Sequence, residues 1–165
     1  MRKTAEAMGW LVVIVLALAL VSVSTTARAE KGSSAATVVV AKLGFSMQLP
    51  AGWVADSKDP TRFYQQGKMK TNYGKVEEYP LGGKTLDAFI KSNLSGAEIA
   101  AKNHRAVGNY DGYEVVSSVK GKGVTLELDI QKGKKVIRVF FHVPGENFPK
   151  QENAFRKAFG SIKIK

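Results

Sequence analysis

An α+β domain is predicted, and three observations predict it. Several segments alternate apolar and polar residues with the period of a strand, two others space apolar residues three and four apart as a helix does, and glycine- or proline-containing turns separate them. The strand-like segments follow one another with helices set apart, the pattern of an antiparallel sheet with segregated helices rather than of repeated βαβ units. No internal repeat interrupts it.

The elements follow in chain order. Val38-Val39-Val40 reads as a first short strand. In LGFSMQLPAGW, Phe45, Met47 and Leu49 alternate with Ser46 and Gln48, a half-buried strand. Pro50 has no N–H to give a ladder and Pro50-Ala51-Gly52 is turn chemistry, so Trp53 opens the next strand. Arg62–Gln66 and Lys75–Tyr79 are two more strands, with the polar segment Gly67–Gly74 between them. After the break at Leu81-Gly82-Gly83, Thr85 is placed to cap a helix whose apolar face is Leu86, Phe89, Ile90 and Leu94, and Gly96 stops it.

A meander comes next. Tyr113–Val119, Val124–Gln131 and Lys135–Val143 are strands, joined by turns at Lys120-Gly121-Lys122-Gly123 and Lys132-Gly133-Lys134. Val124, Leu126, Leu128 and Ile130 share a face, as do Ile137, Val139, Phe141 and Val143. Burying each is worth about 1.5–3 kcal/mol as an upper estimate, which makes this block the expected heart of the core. Pro144-Gly145 ends it. A second helix is expected from Pro149 or Gln151 to Phe159, followed by Gly160 and a short last strand carrying Ile162 and Ile164.

The first 29 residues read as a targeting segment. Arg2 and Lys3 precede the apolar run Trp10–Val23, and Ala27-Arg28-Ala29 is an A-x-A exit. The run falls short of the roughly 20 residues a membrane span needs. Cleavage after Ala29 leaves a flexible leader, residues 30–37, and one domain, residues 38–165. The chain has no cysteine, which removes thiol catalysis, disulfides and thiolate metal sites and leaves no residue for a bacterial lipid anchor. The expectation is an exported monomer, periplasmic or secreted, held by packing alone.

The formal net charge is +11, which favours anionic partners such as lipid headgroups, acidic glycans or an acidic protein face. An exported protein seldom meets nucleic acid, so no nucleic acid is expected. The lysines at the two hairpin tips, Lys120 and Lys122 against Lys132, Lys134 and Lys135, fall at opposite ends of a meander and cannot merge. The local candidate for anion contact is Lys132, Lys134, Lys135 and Arg138; solubility is the competing reading of the same charges.

Signals for catalysis are weak. The only histidines are His104, in a polar connection or strand edge, and His142, near a strand end; neither belongs to a metal-binding spacing. No G-x-S-x-G is present. Glu77 and Glu78 are neighbours on a strand and point apart, while Glu127 and Asp129 share a face in the manner of a solvated or helix-edge surface. Gly82-Gly83-Lys84-Thr85 lacks the first glycine of a phosphate loop, Glu78 standing in its place. No catalytic residue, metal or cofactor is expected. The third class, after a docking protein and an anion binder, is a hydrolase with a pocket holding a histidine beside a carboxylate.

The order GFSMQLPAGW, TLDAFI, a long lysine-tipped meander and FRKAFGSIKIK resembles the PsbP-like superfamily over residues 38–165. That superfamily includes the extrinsic photosystem II subunit, a Ran-binding nuclear-transport factor and periplasmic proteins of the DcrB type. The resemblance implies an α-β-α sandwich with a central antiparallel sheet. It also implies a non-enzymatic accessory protein that docks on a larger envelope assembly, the alternative being a binder of anionic envelope material. The lipid-modified cysteine of cyanobacterial members is missing here. A helix on the second face of the sheet would explain why Phe140 shares a face with Arg138 and His142.

Overall fold

Alternation and turn chemistry cut the chain into ten strands and two helices in the computed structural model, which describes residues 36–165. The expected signal peptide lies outside the described residues. The strands are β1 (Thr37–Val40), β2 (Phe45–Gln48), β3 (Trp53–Ala55), β4 (Arg62–Gln65), β5 (Tyr73–Pro80), β6 (Glu98–His104), β7 (Gly112–Val119), β8 (Gly123–Lys132), β9 (Lys135–Val143) and β10 (Lys163–Ile164). The helices are α1 (Leu86–Asn93) and α2 (Phe148–Gly160).

All pairing is antiparallel. A seven-stranded sheet runs β3-β4-β5-β9-β8-β7-β6, and a three-stranded one runs β1-β2-β10. The register sets Leu126 opposite Phe141, Leu128 opposite Val139 and Ile130 opposite Ile137, so the predicted apolar faces of β8 and β9 coincide. Against this face pack Phe155 and Phe159 of α2 and the inward residues of the small sheet, Val38, Val40, Phe45 and Met47. Phe155 stacks on Phe141 at 4.3 Å between centroids, and Trp53 sets its edge against both. Gly74 belongs to this layer: a Cβ there would lie 2.1 Å from the Phe63 ring and 2.3 Å from the Phe140 carbonyl, so only glycine admits the ring. The stretch around Trp53 is therefore core and turn, as its pattern predicts. The described residues belong to one compact unit, and both hydrophobic clusters are built from them.

The opposite face carries a second, smaller cluster. Leu86, Phe89 and Ile90 of α1 close over Val115 and Val136, with Leu81 beside them. Thr85 caps α1 as predicted, its hydroxyl accepting from the Ala88 amide at 3.2 Å. Helices thus flank the large sheet on both faces, α2 on one and α1 on the other, as an α-β-α sandwich requires. An eight-residue helix is about 12 Å long, whereas the nine residues of β9 extend about 30 Å. α1 therefore roofs only one end of its face.

β6 is the strand that the pattern did not announce. It is an edge strand, mostly exposed, with a register shift between Ile99 and Ala101, so neither burial nor alternation marks it. His104 lies at its end, which makes the strand-edge reading of that residue the correct one.

Candidate functional site

Past the end of α1, the second face of the sheet is open. Register places Tyr73 of β5, His142 of β9 and Thr125 of β8 side by side, with Ser117 of β7 next in the row. Phe140 lies one step along on the same face and meets Tyr73 edge-on at 6.2 Å. Tyr73, Thr125, Phe140 and His142 are all partly exposed. Phe140, His142 and Arg138 do share a face, and α1 covers only the Arg138 end of it.

His142 is held on both sides. Its Nε2 lies 2.8 Å from the Lys122 carbonyl, which can only accept, so Nε2 carries the hydrogen and Nδ1 accepts from the Thr125 hydroxyl at 3.0 Å. Burial holds its pKa below the ordinary 6.5, against the opposing pull of the Lys122 carbonyl. A neutral imidazole with both nitrogens engaged is a brace rather than a base. His104 contacts Asp111 at 3.4 Å with both side chains largely exposed, and its neighbour across the strands is Tyr113. The two histidines therefore do not meet.

A cleft adjoins the open face. Lys70 and Thr71, from the loop between β4 and β5, form one wall, and residues Val119 to Gly123, from the turn between β7 and β8, form another; His142 and Glu146 also line it. Lys70, Tyr73, Ser117, Lys122, Thr125 and His142 line its continuation onto the sheet.

Under α1 the sheet buries charge. Arg138 donates from Nε to Asp129 Oδ1 at 2.7 Å and from Nη2 to Oδ2 at 3.1 Å, a bidentate pair, and its guanidinium packs over the Phe89 and Tyr79 rings. Glu127, two residues along the same face, is 3.6 Å from Arg138 Nε through Oε2, and its Oε1 is buried without a partner. Burial raises both carboxyls. The two bonds from Arg138 favour charge on Asp129, so the retained proton sits on Glu127, whose pKa burial and then the Asp129 charge push up to about 7. The expectation of a solvated or helix-edge acidic face here is corrected: Glu127 is 3% and Asp129 0% exposed.

The four residues singled out for anion contact are not one patch. Arg138 is buried in the sheet and committed to Asp129. Lys132 donates to the main-chain oxygens of Leu43 and Lys165, Lys135 pairs with Glu78 at 2.8 Å, and Lys134 is exposed. The sequence reading overlooked Lys68 and Lys70, which lie in the segment taken as a plain polar connection; the signal available was the run Lys68-Met69-Lys70. Among the described residues no group of three or more histidine and carboxylate side chains is placed to hold a metal, and no helix is long and apolar enough to cross a membrane.

No family model matches the sequence, and no curated protein matches it. Solved structures do match in fold. The solution structure of cyanobacterial PsbP (CyanoP) from Synechocystis sp. PCC 6803 superposes with a TM-score of 0.59 at 14% identity, covering 81% of this chain and 94% of that one. A protein of unknown function from Pseudomonas aeruginosa superposes with a TM-score of 0.50 at 8% identity, covering 57% of this chain and 73% of its own. At these identities the likeness speaks for architecture, and the resemblance read from the strand-turn-strand and helix-strand motifs agrees with it: the chain has the PsbP-like fold.

Proposed function

We propose that the chain is an exported, non-enzymatic accessory protein that docks on a larger envelope assembly. The observation that carries this reading is the half-open sheet face. α1 leaves Tyr73, His142 and Thr125 partly exposed in a row with Phe140 one step along, and exposed aromatic rings are what protein interfaces favour. The chemistry at hand suits binding better than turnover. His142 has both nitrogens engaged, and Asp129 and Arg138 are committed to each other beneath α1. Fold alone does not assign function, so the reading rests on this face.

Crosslinking and co-purification of residues 30–165 from the native envelope, at low and at moderate salt, tests it. One protein partner retained at moderate salt, and lost with Phe140→Ser, is the expected result. Recovery of lipid or glycan only, falling away as salt rises, would sink the assembly reading.

A further inference from the structure

Two loop tips at one end of the large sheet carry the same short pattern, an apolar side chain among lysines. Lys68-Met69-Lys70 lies in the loop between β4 and β5, and Val119-Lys120-Gly121-Lys122 leads through the turn between β7 and β8. The tips meet, since Lys70 and Thr71 face Val119, Lys120 and Lys122 across one cleft. Ile99 joins them, because β6 pairs Glu98 with Ser118 and Ile99 with Ser117, beside Val119. Of the large apolar residues exposed among the described ones (Val39, Met69, Ile99 and Val119), Met69 and Val119 stand on these two tips and Ile99 on the strand beside the second.

Both tips are braced from inside. Fully buried Asn72 donates to Gln65 Oε1 at 2.7 Å and accepts from the Thr71 hydroxyl at 2.8 Å, while the Thr71 and Asn72 amides both donate to the Lys68 carbonyl. The second tip is closed by the Lys122 amide on the Val119 carbonyl at 2.9 Å and held below by His142 on the Lys122 carbonyl. Met69 and Val119 are thus exposed on fixed turns.

The charge is free as well as concentrated. Lys75, Lys91, Lys102 and Lys135 each pair with a carboxylate, whereas among the described residues Lys68, Lys70, Lys120 and Lys122 pair with none. Glu146 is the only acid lining the cleft between them.

We propose that this end of the domain is a docking surface for an anionic lipid bilayer, with Met69 and Val119 entering the headgroup layer and the four lysines on lipid phosphates. Apolar side chains interleaved with lysine are what an interfacial segment presents to such a surface. A protein partner is the poorer fit at this end: protein interfaces favour arginine and deplete lysine, and no arginine lines the cleft. Lysine offers a point charge on a long stem that follows mobile headgroups. The inference rests on the chain being a binding protein and not on any assembly.

Sedimentation of residues 30–165 with vesicles tests it in the absence of any other protein. Binding is expected to vesicles of phosphatidylcholine mixed with phosphatidylglycerol, to fall as salt rises, and to be lost with phosphatidylcholine alone. At about fivefold per lysine, Lys120→Gln with Lys122→Gln weakens binding about 25-fold, and Lys68→Gln with Lys70→Gln does the same. Met69→Ser lowers it several-fold at unchanged charge, and Lys134→Gln with Lys135→Gln, at the opposite end, leaves it within about twofold. An equal loss from the opposite-end pair, or equal binding to phosphatidylcholine alone, overturns the proposal. So does soluble polyglutamate binding through the same lysines with Met69 irrelevant, which would identify an acidic protein face instead.

Discussion

On the face of the large sheet that α2 covers, Glu114 lies between Arg105 and Arg156, one acid facing two bases. On the face that α1 covers, Arg138 lies between Asp129 and Glu127, one base facing two acids. Glu114 and Glu127 are equally buried at 3% exposure, and the difference lies in where the surplus charge goes. Arg105 and Arg156 keep about a third of their side chains in water, and Arg156 has a second carboxylate partner in Glu152. The surplus carboxylate beneath α1 has neither outlet, since Glu127 Oε1 meets no donor and no solvent. A surplus that cannot be solvated is removed by protonation. The cluster beneath α1, whose surplus acid is sealed from water, is therefore the one expected to make stability depend on pH.

The largest test of this contrast is Arg138→Leu. It removes the base bonded to Asp129 and leaves two buried acids facing each other, which costs about 3–5 kcal/mol at pH 8. The loss shrinks at pH 5, where the acids take up protons. Urea unfolding at the two pH values measures both, and an equal loss at each would break the comparison.

Glu127→Gln tests the same cluster with the opposite sign. The folded pKa of Glu127 lies at about 7, above its ordinary 4.5, so between these values the folded state holds a proton that the unfolded chain has released. Its contribution is present below 4.5, is lost as pH rises through the folded value, and leaves the full cost of the buried charge above it. That cost is about 3 kcal/mol as an upper figure. The glutamine variant is expected to unfold at higher urea than the parent at pH 8, by up to that amount, and at nearly the same urea at pH 4.5. A parent whose stability does not decline between pH 5 and 8 would refute the protonated Glu127.

Glu114→Gln sharpens the other side. It removes the charged acceptor of two arginines, which retain water, Glu152 and the Arg156 carbonyl. A loss of about 2 kcal/mol is expected, nearly the same at pH 5 and pH 8. A pH dependence as steep as that of the Glu127 cluster would show that sealing, rather than surplus sign, had been misjudged.

Legibility follows the same line. The core strands could be read because alternation registers which face is dry: Phe45 and Met47 on β2 with Leu49 just after it, Leu126, Leu128 and Ile130 on β8, and Ile137, Val139, Phe141 and Val143 on β9 are all buried as their period predicts, and Val124 at the start of β8 is partly buried. The charge beneath α1 could be read only in part: Phe140 beside Arg138 and His142 called for a helix on that face, but the period of Glu127 and Asp129 is identical whether they face water or that helix. Only the cross-strand pairing of Asp129 with Arg138 distinguishes the two, and register is a tertiary fact. The lysine tips failed for a related reason. Consecutive hairpin tips point to opposite ends, which separates Lys120 and Lys122 from Lys132 and Lys134. Lys68 and Lys70 lie on no consecutive tip, and their loop joins the first pair because β5 lies next to β9. β6 was hidden by being an exposed, bulged edge.

The smallest effect is expected where pairing exists without burial. Lys135 reaches Glu78 at 2.8 Å, nearly as short as the 2.7 Å bond from Arg138 to Asp129, yet its side chain is 59% exposed. Water screens such a pair and both side chains lose rotamer freedom to make it, so Lys135→Ala is expected to change stability by no more than about 0.5 kcal/mol. Urea midpoints at low and high salt measure this, and the small difference should vanish as salt rises. If Lys135→Ala costs as much as Glu114→Gln, pairing rather than burial governs these clusters, and the inference from the orphaned Glu127 oxygen to a titrating carboxyl loses its basis. If it costs little, two contacts of nearly equal length differ in weight only through the solvent they exclude.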